Sequence, residues 1–204
     1  MSSSYTLSGR VAQKRRTRDA LVAAARDLVA RGETPTVEAA ATSASVSRTT
    51  AYRYFPNQRD LLVAAHPETV AASLLPADAP RNPTERLEAV VLAFTTLIID
   101  TEAQQRTMLR LSLDAVPAEP AALPLRKGRA IGWITEALEP LSDQFGAHRL
   151  HALVLAIRSA IGIEALVWLT DVAGLTRTDA QRLMCWSARS MLQAALQAGP
   201  PESE

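Results

Sequence analysis

With a single cysteine, Cys185, the 204-residue chain cannot build an internal disulfide framework. Histidine is almost as scarce: there are three, and only His148 and His151 stand close enough in sequence to share a metal. No carboxylate or cysteine near them completes a recognisable ligand set, so they read as surface residues and no metal is expected. Glycine is sparse too, and none of the eight forms a phosphate-cradling loop or a nucleophile elbow, nor does an HExxH pair occur. Catalysis therefore has no visible home, and neither an enzyme nor a cofactor is expected. Apolar runs free of charge are missing as well. The longest, HALVLAIRSAIGIEALVWL, is interrupted by Arg158 and Glu164, which argues against a span through lipid. Nothing at the start resembles a basic, apolar, small-residue leader, so a cytoplasmic protein is expected. Aromatics make up 4%, which disfavours a pocket for large flat ligands, although three tryptophans are enough for one.

What is present is an ordinary globular balance, 48% apolar and 21% charged, in a chain long enough to bury a core of one or two domains. The net charge of +1 conceals an asymmetry. The first 60 residues carry ten Lys/Arg against five Asp/Glu, leaving twelve against sixteen for the remainder. A basic front on an acidic back suggests that the front meets a polyanion, or else is a solvated basic arm.

Proline sets the punctuation, and the long proline-free stretches read as helices with no competing strand alternation. The expected fold is all-α. Leu21, Ala25, Leu28 and Val29 recur at helical spacing, giving an amphipathic helix from Lys14 to Arg31 that Gly32 ends. Thr34 and Pro35 look like a cap and first residue for a short second helix reaching about Ser43. Ser47 caps a third, to about Phe55, and a fourth starts near Asn57 and is expected to run on toward Leu75 with a kink at Pro67.

The third helix is the informative one. In SRTTAYRYF, at 100° per residue, Arg48, Thr49, Tyr52 and Arg53 fall on one side, with Ser47, Ala51 and Phe55 largely on the other. Two short helices joined by a tight turn, with the polar face of the second exposed, make a helix-turn-helix, whose second member enters the major groove. Arg48 and Arg53 have the chemistry for guanine edges or phosphates, Thr49 and Thr50 for a phosphate or a thymine methyl, and Tyr52 for a phosphate. Lys14, Arg15, Arg16 and Arg18 can hold flanking backbone. Alternatively Tyr52 and Tyr54 fill the core of the small domain and the arginines are solvated.

From about Arg18 to Leu62, a quarter of the chain, the sequence resembles the DNA-binding domain of the tetracycline-repressor (TetR) family. The residues that carry this are Ala24, Ala25 and Leu28, then Gly32, Thr36, Val37 and Ala41, then Val46 and Ser47 with Tyr52, Phe55 and Leu61. Ser45 stands where the family has a turn glycine, and Gln58, beside Arg59, stands where it usually has a lysine. The segment after Gly32 is one residue short and lacks the usual aromatic.

The resemblance implies a ligand-responsive transcription regulator, most often a repressor. It would be a homodimer that reads a palindromic stretch of double-stranded operator DNA and lets go when a small-molecule effector binds. It further implies a helix-turn-helix domain over 1–60 and a helical ligand-binding and dimerisation domain over 61–204. The DNA-contacting set would be Arg16, Thr36, Ser47, Arg48, Thr49, Thr50, Tyr52, Arg53, Tyr54 and Arg59. The competing reading is a helical ligand- or partner-binding protein whose helix-turn-helix is vestigial.

The larger part reads more coarsely. Helices are expected from Thr84 to Asp100, Glu102 to Leu113 and Leu125 to Leu138, with the loop PAEPAALP between the last two, then from Asp143 to Val172 and Thr178 to Ala198. In the family the last two helices pair the subunits. Ala156, Ser159, Ala160 and Gly162 in one, and Ser187, Ser190, Ala194 and Ala195 in the other, are small enough for close approach, there or within one subunit. Met184, Cys185 and Met191 read as packing groups. Phe94, Ile98, Met108, Leu111, Trp133, Ile134 and Trp168 are pocket candidates or plain core. Arg158 and Glu164 would point about 120° apart on a continuous helix, so they are expected to find partners across an interface or in a ligand.

Overall fold

The computed structural model describes residues 3–66, 71–114 and 128–201, and among these every regular element is helical. By packing, the chain divides into two compact units, residues 1–69 with 103–127 and residues 70–102 with 128–204.

In the first unit, α1 (Ser3–Ala30) packs on α2 (Val37–Ser43) and α4 (Gln58–Ala65), and α3 (Arg48–Tyr54) packs on α2. Its core is the periodic stripe Leu21, Ala25 and Leu28 of α1 meeting Val37, Ala40 and Ala41 of α2, Ala51 and Phe55, and Leu61. Alanines at the crossings let these short helices lie close, so a small unit fills its interior with few large side chains. α6 (Glu102–Asp114) belongs here too, its Met108 packing on Val29 and Leu62.

Gly32, in the left-handed region at φ +77°, ends α1: its N–H donates to the Val29 carbonyl and that of Glu33 to the Leu28 carbonyl. The cap of α2 is Thr36 rather than Thr34. Its hydroxyl accepts from Ala39 N at 3.0 Å, whereas the Thr34 hydroxyl is taken by Arg110 of α6 at 3.1 Å. Ser47 caps α3 and Asn57 caps α4, each accepting from the amide three residues on. α4 does not continue to Leu75. It stops at Ala65 because His66 precedes a proline, a position that disfavours α geometry, and His66 sits at ψ 132°. Pro67 itself and the loop PAEPAALP lie outside the described residues, as does the stretch 125–127 assigned to a helix above.

In the second unit, α5 (Pro83–Asp100) and α9 (Ala147–Ala160) each pack on both α7 (Arg129–Leu138) and α11 (Arg177–Ala198), closing a four-helix arrangement. The core comes from one face of each helix: Val90, Phe94 and Ile98 on α5, Trp133 and Ile134 on α7, Val154 and Ile157 on α9, Met184, Ala188 and Leu192 on α11. Trp133 meets Phe94 edge-on at 5.9 Å and donates its indole N–H to the Ala72 carbonyl.

The single long helix expected from Asp143 to Val172 is instead four pieces. A short α8 (Ser142–Phe145) ends at Gly146, α9 ends at Ile161–Gly162, and α10 (Ile163–Val167) passes into a wider turn over Trp168–Val172. The break at Ile161–Gly162 folds the chain back enough to bring Arg158 Nη1 to 3.6 Å from Glu164 Oε2. The two pair with each other, because the 120° separation holds only for an unbroken helix. The Arg158 guanidinium also lies 5.4 Å over the Phe94 ring, and a β-carbon at Gly162 would collide with both charged groups. By length and composition Ala147–Val172 is apolar enough to cross a membrane. In the structure it is broken, and Leu150, Leu153, Val154, Ile157 and Leu166 bury against neighbouring helices.

Candidate nucleic-acid interface

The geometry of the candidate interface is set by the turn between α2 and α3. The Ser45 N–H donates to the Thr42 carbonyl and the Val46 N–H to the Ala41 carbonyl, the same double closure that Gly32 makes at the end of α1. Such a closure needs a left-handed residue, and Ser45 takes it at φ 54°, alone among the described non-glycine residues. A side chain there is strained by roughly 1–2 kcal/mol, partly offset by glycine's larger loss of freedom on folding. Ser45→Gly is therefore expected to stabilise the protein by about 0.5–1 kcal/mol and Ser45→Val to destabilise it, read as opposite shifts of the denaturant midpoint.

From this turn α3 emerges with Ala51 and Phe55 buried and Arg48, Thr49 and Arg53 exposed. Ser47 is occupied as the cap: its hydroxyl accepts from Thr50 N and donates to Thr50 Oγ1 at 2.9 Å. Thr36 is likewise exposed but engaged as the cap of α2. Tyr52 and Tyr54 are half-buried against the core, and the Arg53 guanidinium lies 5.7 Å over the Tyr54 ring. Lys14, Arg15, Arg16 and Arg18 are exposed on α1, with Arg18 over Phe55 at 5.4 Å. Arg59 is half-buried. Gln58 donates to the Pro35 carbonyl at 2.9 Å and so ties α4 to the approach to α2.

Sequence reasoning missed Glu38. In the first turn of α2 it reads as an ordinary acid complementing the helix N-terminus. Folding places that turn against α3. Tyr52 donates its hydroxyl to Glu38 Oε1, and Arg48 Nη2 lies 2.9 Å from the same oxygen with its guanidinium 5.7 Å over the Tyr52 ring. Nothing local to α2 marks these partners, which become neighbours only when α2 and α3 pack.

The Tyr52 hydroxyl, then the local backbone and Arg48, hold the Glu38 carboxyl below its ordinary range, and the same hydrogen bond pushes the Tyr52 hydroxyl up. For an acid whose folded pKa is lowered, the contribution is complete above the ordinary glutamate range and is lost as pH falls through the lowered value. At neutral pH the three-residue clamp is closed.

The residues considered for a ligand chamber do not converge. Phe94, Ile98, Trp133 and Ile134 are buried in the second unit, Met108 and Leu111 pack in the first, and Trp168 is exposed. A pocket of about 410 Å³ opens instead between α5 and α11, lined by Leu87, Val91, Leu92, Gln181, Cys185 and Trp186, with Glu88, Arg182 and Arg189 beside them. Gln181 is anchored by hydrogen bonds to Thr95 and Thr96, and Arg189 is paired with Glu88 at 2.7 Å. Burial pushes the Cys185 thiol above its ordinary range. Among the described residues no group of His, Cys, Asp and Glu could hold a metal ion.

No family model matches the chain, and no curated protein matches it. Among solved structures, the chain is similar to an HlyIIR mutant protein with one stretch substituted by alanine. The two are 16% identical, the match covers 85% of this chain and 95% of that one, and the TM-score is 0.45.

Proposed function

We propose that the protein is a DNA-reading transcription regulator of the TetR type, acting as a homodimer and most simply as a repressor released by a small-molecule effector. The observation that carries the reading is the α2–turn–α3 unit. Its second helix buries Ala51 against α1 and α2 while presenting Arg48, Thr49 and Arg53 outward, beside the exposed cations of α1. A protruding helix with guanidinium and hydroxyl groups on its free face matches what the major groove accepts, and the cations on α1 match the flanking phosphates. In this reading residues 1–60 read DNA, and 61–204 bind the effector and pair the subunits.

Pairing is supported by the outward faces of α9 and α11, which pack on each other within the subunit. Leu155, Leu183 and Trp186 are exposed there, and Ser159, Ser187, Ser190 and Ala194 share those faces at helical spacing. The stripe Leu183, Ser187, Ser190 and Ala194 carries no charge, which suits a self-complementary two-fold interface, and Arg182 and Arg189 flank it beside Trp186. The effector is a mainly apolar molecule with a polar end, the kind of guest the pocket between α5 and α11 fits. Its binding would alter the spacing of two recognition helices that must sit about 34–36 Å apart to read successive major grooves. The test is selection of sheared genomic DNA by the purified protein, with an inverted repeat as the expected product.

A further inference from the structure

Arg48 is exposed on the free face of α3, yet its charge has a companion in the fold. The Glu38 carboxylate holds Nη2 at 2.9 Å, and the Tyr52 ring lies beneath the guanidinium and is itself tied to Glu38 through its hydroxyl. Such a pair contributes little to stability, because Arg48 is 73% and Glu38 38% exposed. Its consequences lie in what it does to Arg48. A free surface arginine carries large rotamer freedom and turns to whichever phosphate is nearest. Held by one terminal nitrogen and stacked on a ring, it keeps its remaining N–H donors in a fixed orientation.

Resting on the reading of α3 as a recognition helix, we propose that Glu38 is a specificity-determining positioning residue. It fixes Arg48 so that the free edge of the guanidinium meets O6 and N7 of one guanine in each half-site, and its own charge opposes the alternative in which Arg48 joins a phosphate. A bidentate fork on guanine is the most discriminating contact the major groove offers, and a preoriented fork loses less freedom in making it. A carboxylate on a surface facing DNA weakens sequence-independent attraction at the same time, since that attraction is set by the balance of charge against the phosphates. Glu38 thus lowers affinity for random DNA while favouring the specific site, and so raises the ratio of specific to non-specific binding.

The full-length protein and its Glu38→Gln variant are compared by anisotropy on two labelled duplexes at one salt concentration: the site enriched by the wild-type protein, and a random-sequence duplex. Glu38→Gln keeps a hydrogen-bonding group for Tyr52 and removes the charge. The expected result is a rise of about threefold in affinity for random DNA and a fall of about tenfold in the specific-to-random ratio, with relaxed preference at one guanine per half-site. Glu38→Asp, which keeps the charge on a shorter stem, is expected to lose the ratio without gaining affinity for random DNA. An unchanged ratio in both variants overturns the proposal. So does a parallel loss of affinity for both duplexes accompanied by a lower melting temperature, which would mark Glu38 as merely structural. If the wild-type protein enriches no sequence at all, it is the DNA-reading function that fails.

Discussion

Arg48→Ala is expected to lower affinity for the selected operator by roughly 30- to 10⁴-fold while leaving the fold intact. A bidentate arginine–guanine contact contributes about 1–3 kcal/mol, and a two-fold dimer loses it twice. The side chain is 73% exposed and packs only over the Tyr52 ring, so its removal opens no cavity. Glu38 keeps the Tyr52 hydroxyl as a donor, and the carboxylate left behind is partly solvated rather than stranded. Affinity for random DNA should fall far less, since one cation per subunit leaves Lys14, Arg15, Arg16 and Arg53 in place. Titration of operator and random duplexes over a series of salt concentrations separates the two effects. Equal losses on both duplexes would mean that Arg48 touches only phosphate.

The second large effect concerns assembly. Leu183 is exposed on the outward face of α11, in a surface without charged residues between it and Ala194 on the same stripe. Leu183→Asp leaves the helical core of Met184, Ala188 and Leu192 untouched but places a carboxylate in each half of the proposed interface. Two unpaired charges facing each other across a two-fold axis cost several kcal/mol, enough to turn a dimer into monomers at micromolar concentration. Sedimentation equilibrium is expected to show the wild-type chain at twice its 22.0 kDa mass and the variant at once that mass, with circular dichroism unchanged. Operator affinity should drop by about 10² or more with the loss of the second half-site. A variant that remains dimeric would move the interface away from α11.

Much of the first unit was legible because its determinants are local. The stripe of Leu21, Ala25 and Leu28, the closure at Gly32 and the Ser47 cap each depend on residues within one or two turns, and the folded unit uses all three. Thr36 displaced Thr34 as the α2 cap because a distant residue, Arg110, claims the Thr34 hydroxyl, and a contact across 76 positions leaves no trace in local sequence. Glu38 escaped for the same reason: its partners become neighbours only when α2 and α3 are packed.

In the second unit the helices at 83–100 and 177–198 were legible to within one residue, though their caps Asn82 and Thr176 were not named, whereas the break at Ile161–Gly162 was not legible. A lone glycine in an apolar run is compatible with an unbroken helix, and what fixes the break includes the Arg158–Glu164 pair that the break itself permits. Pocket residues were the least legible, since core and cavity walls share one composition. Trp168 is exposed, while Cys185, which read as a packing group, and Gln181, to which no role was assigned, line the pocket between α5 and α11.

In the proposed dimer α3 reads a sequence in DNA twice, once in each half-site. The most direct test is to incubate the purified protein with sheared genomic fragments in moderate salt, recover what it holds, and sequence the pool before and after. The expected product is an enriched inverted repeat whose half-sites are centred about one helical turn apart, each containing a guanine whose importance vanishes in the Arg48→Ala protein. A folded, dimeric protein that enriches nothing above the starting pool would contradict this reading and leave a helical sensor whose helix-turn-helix no longer meets DNA.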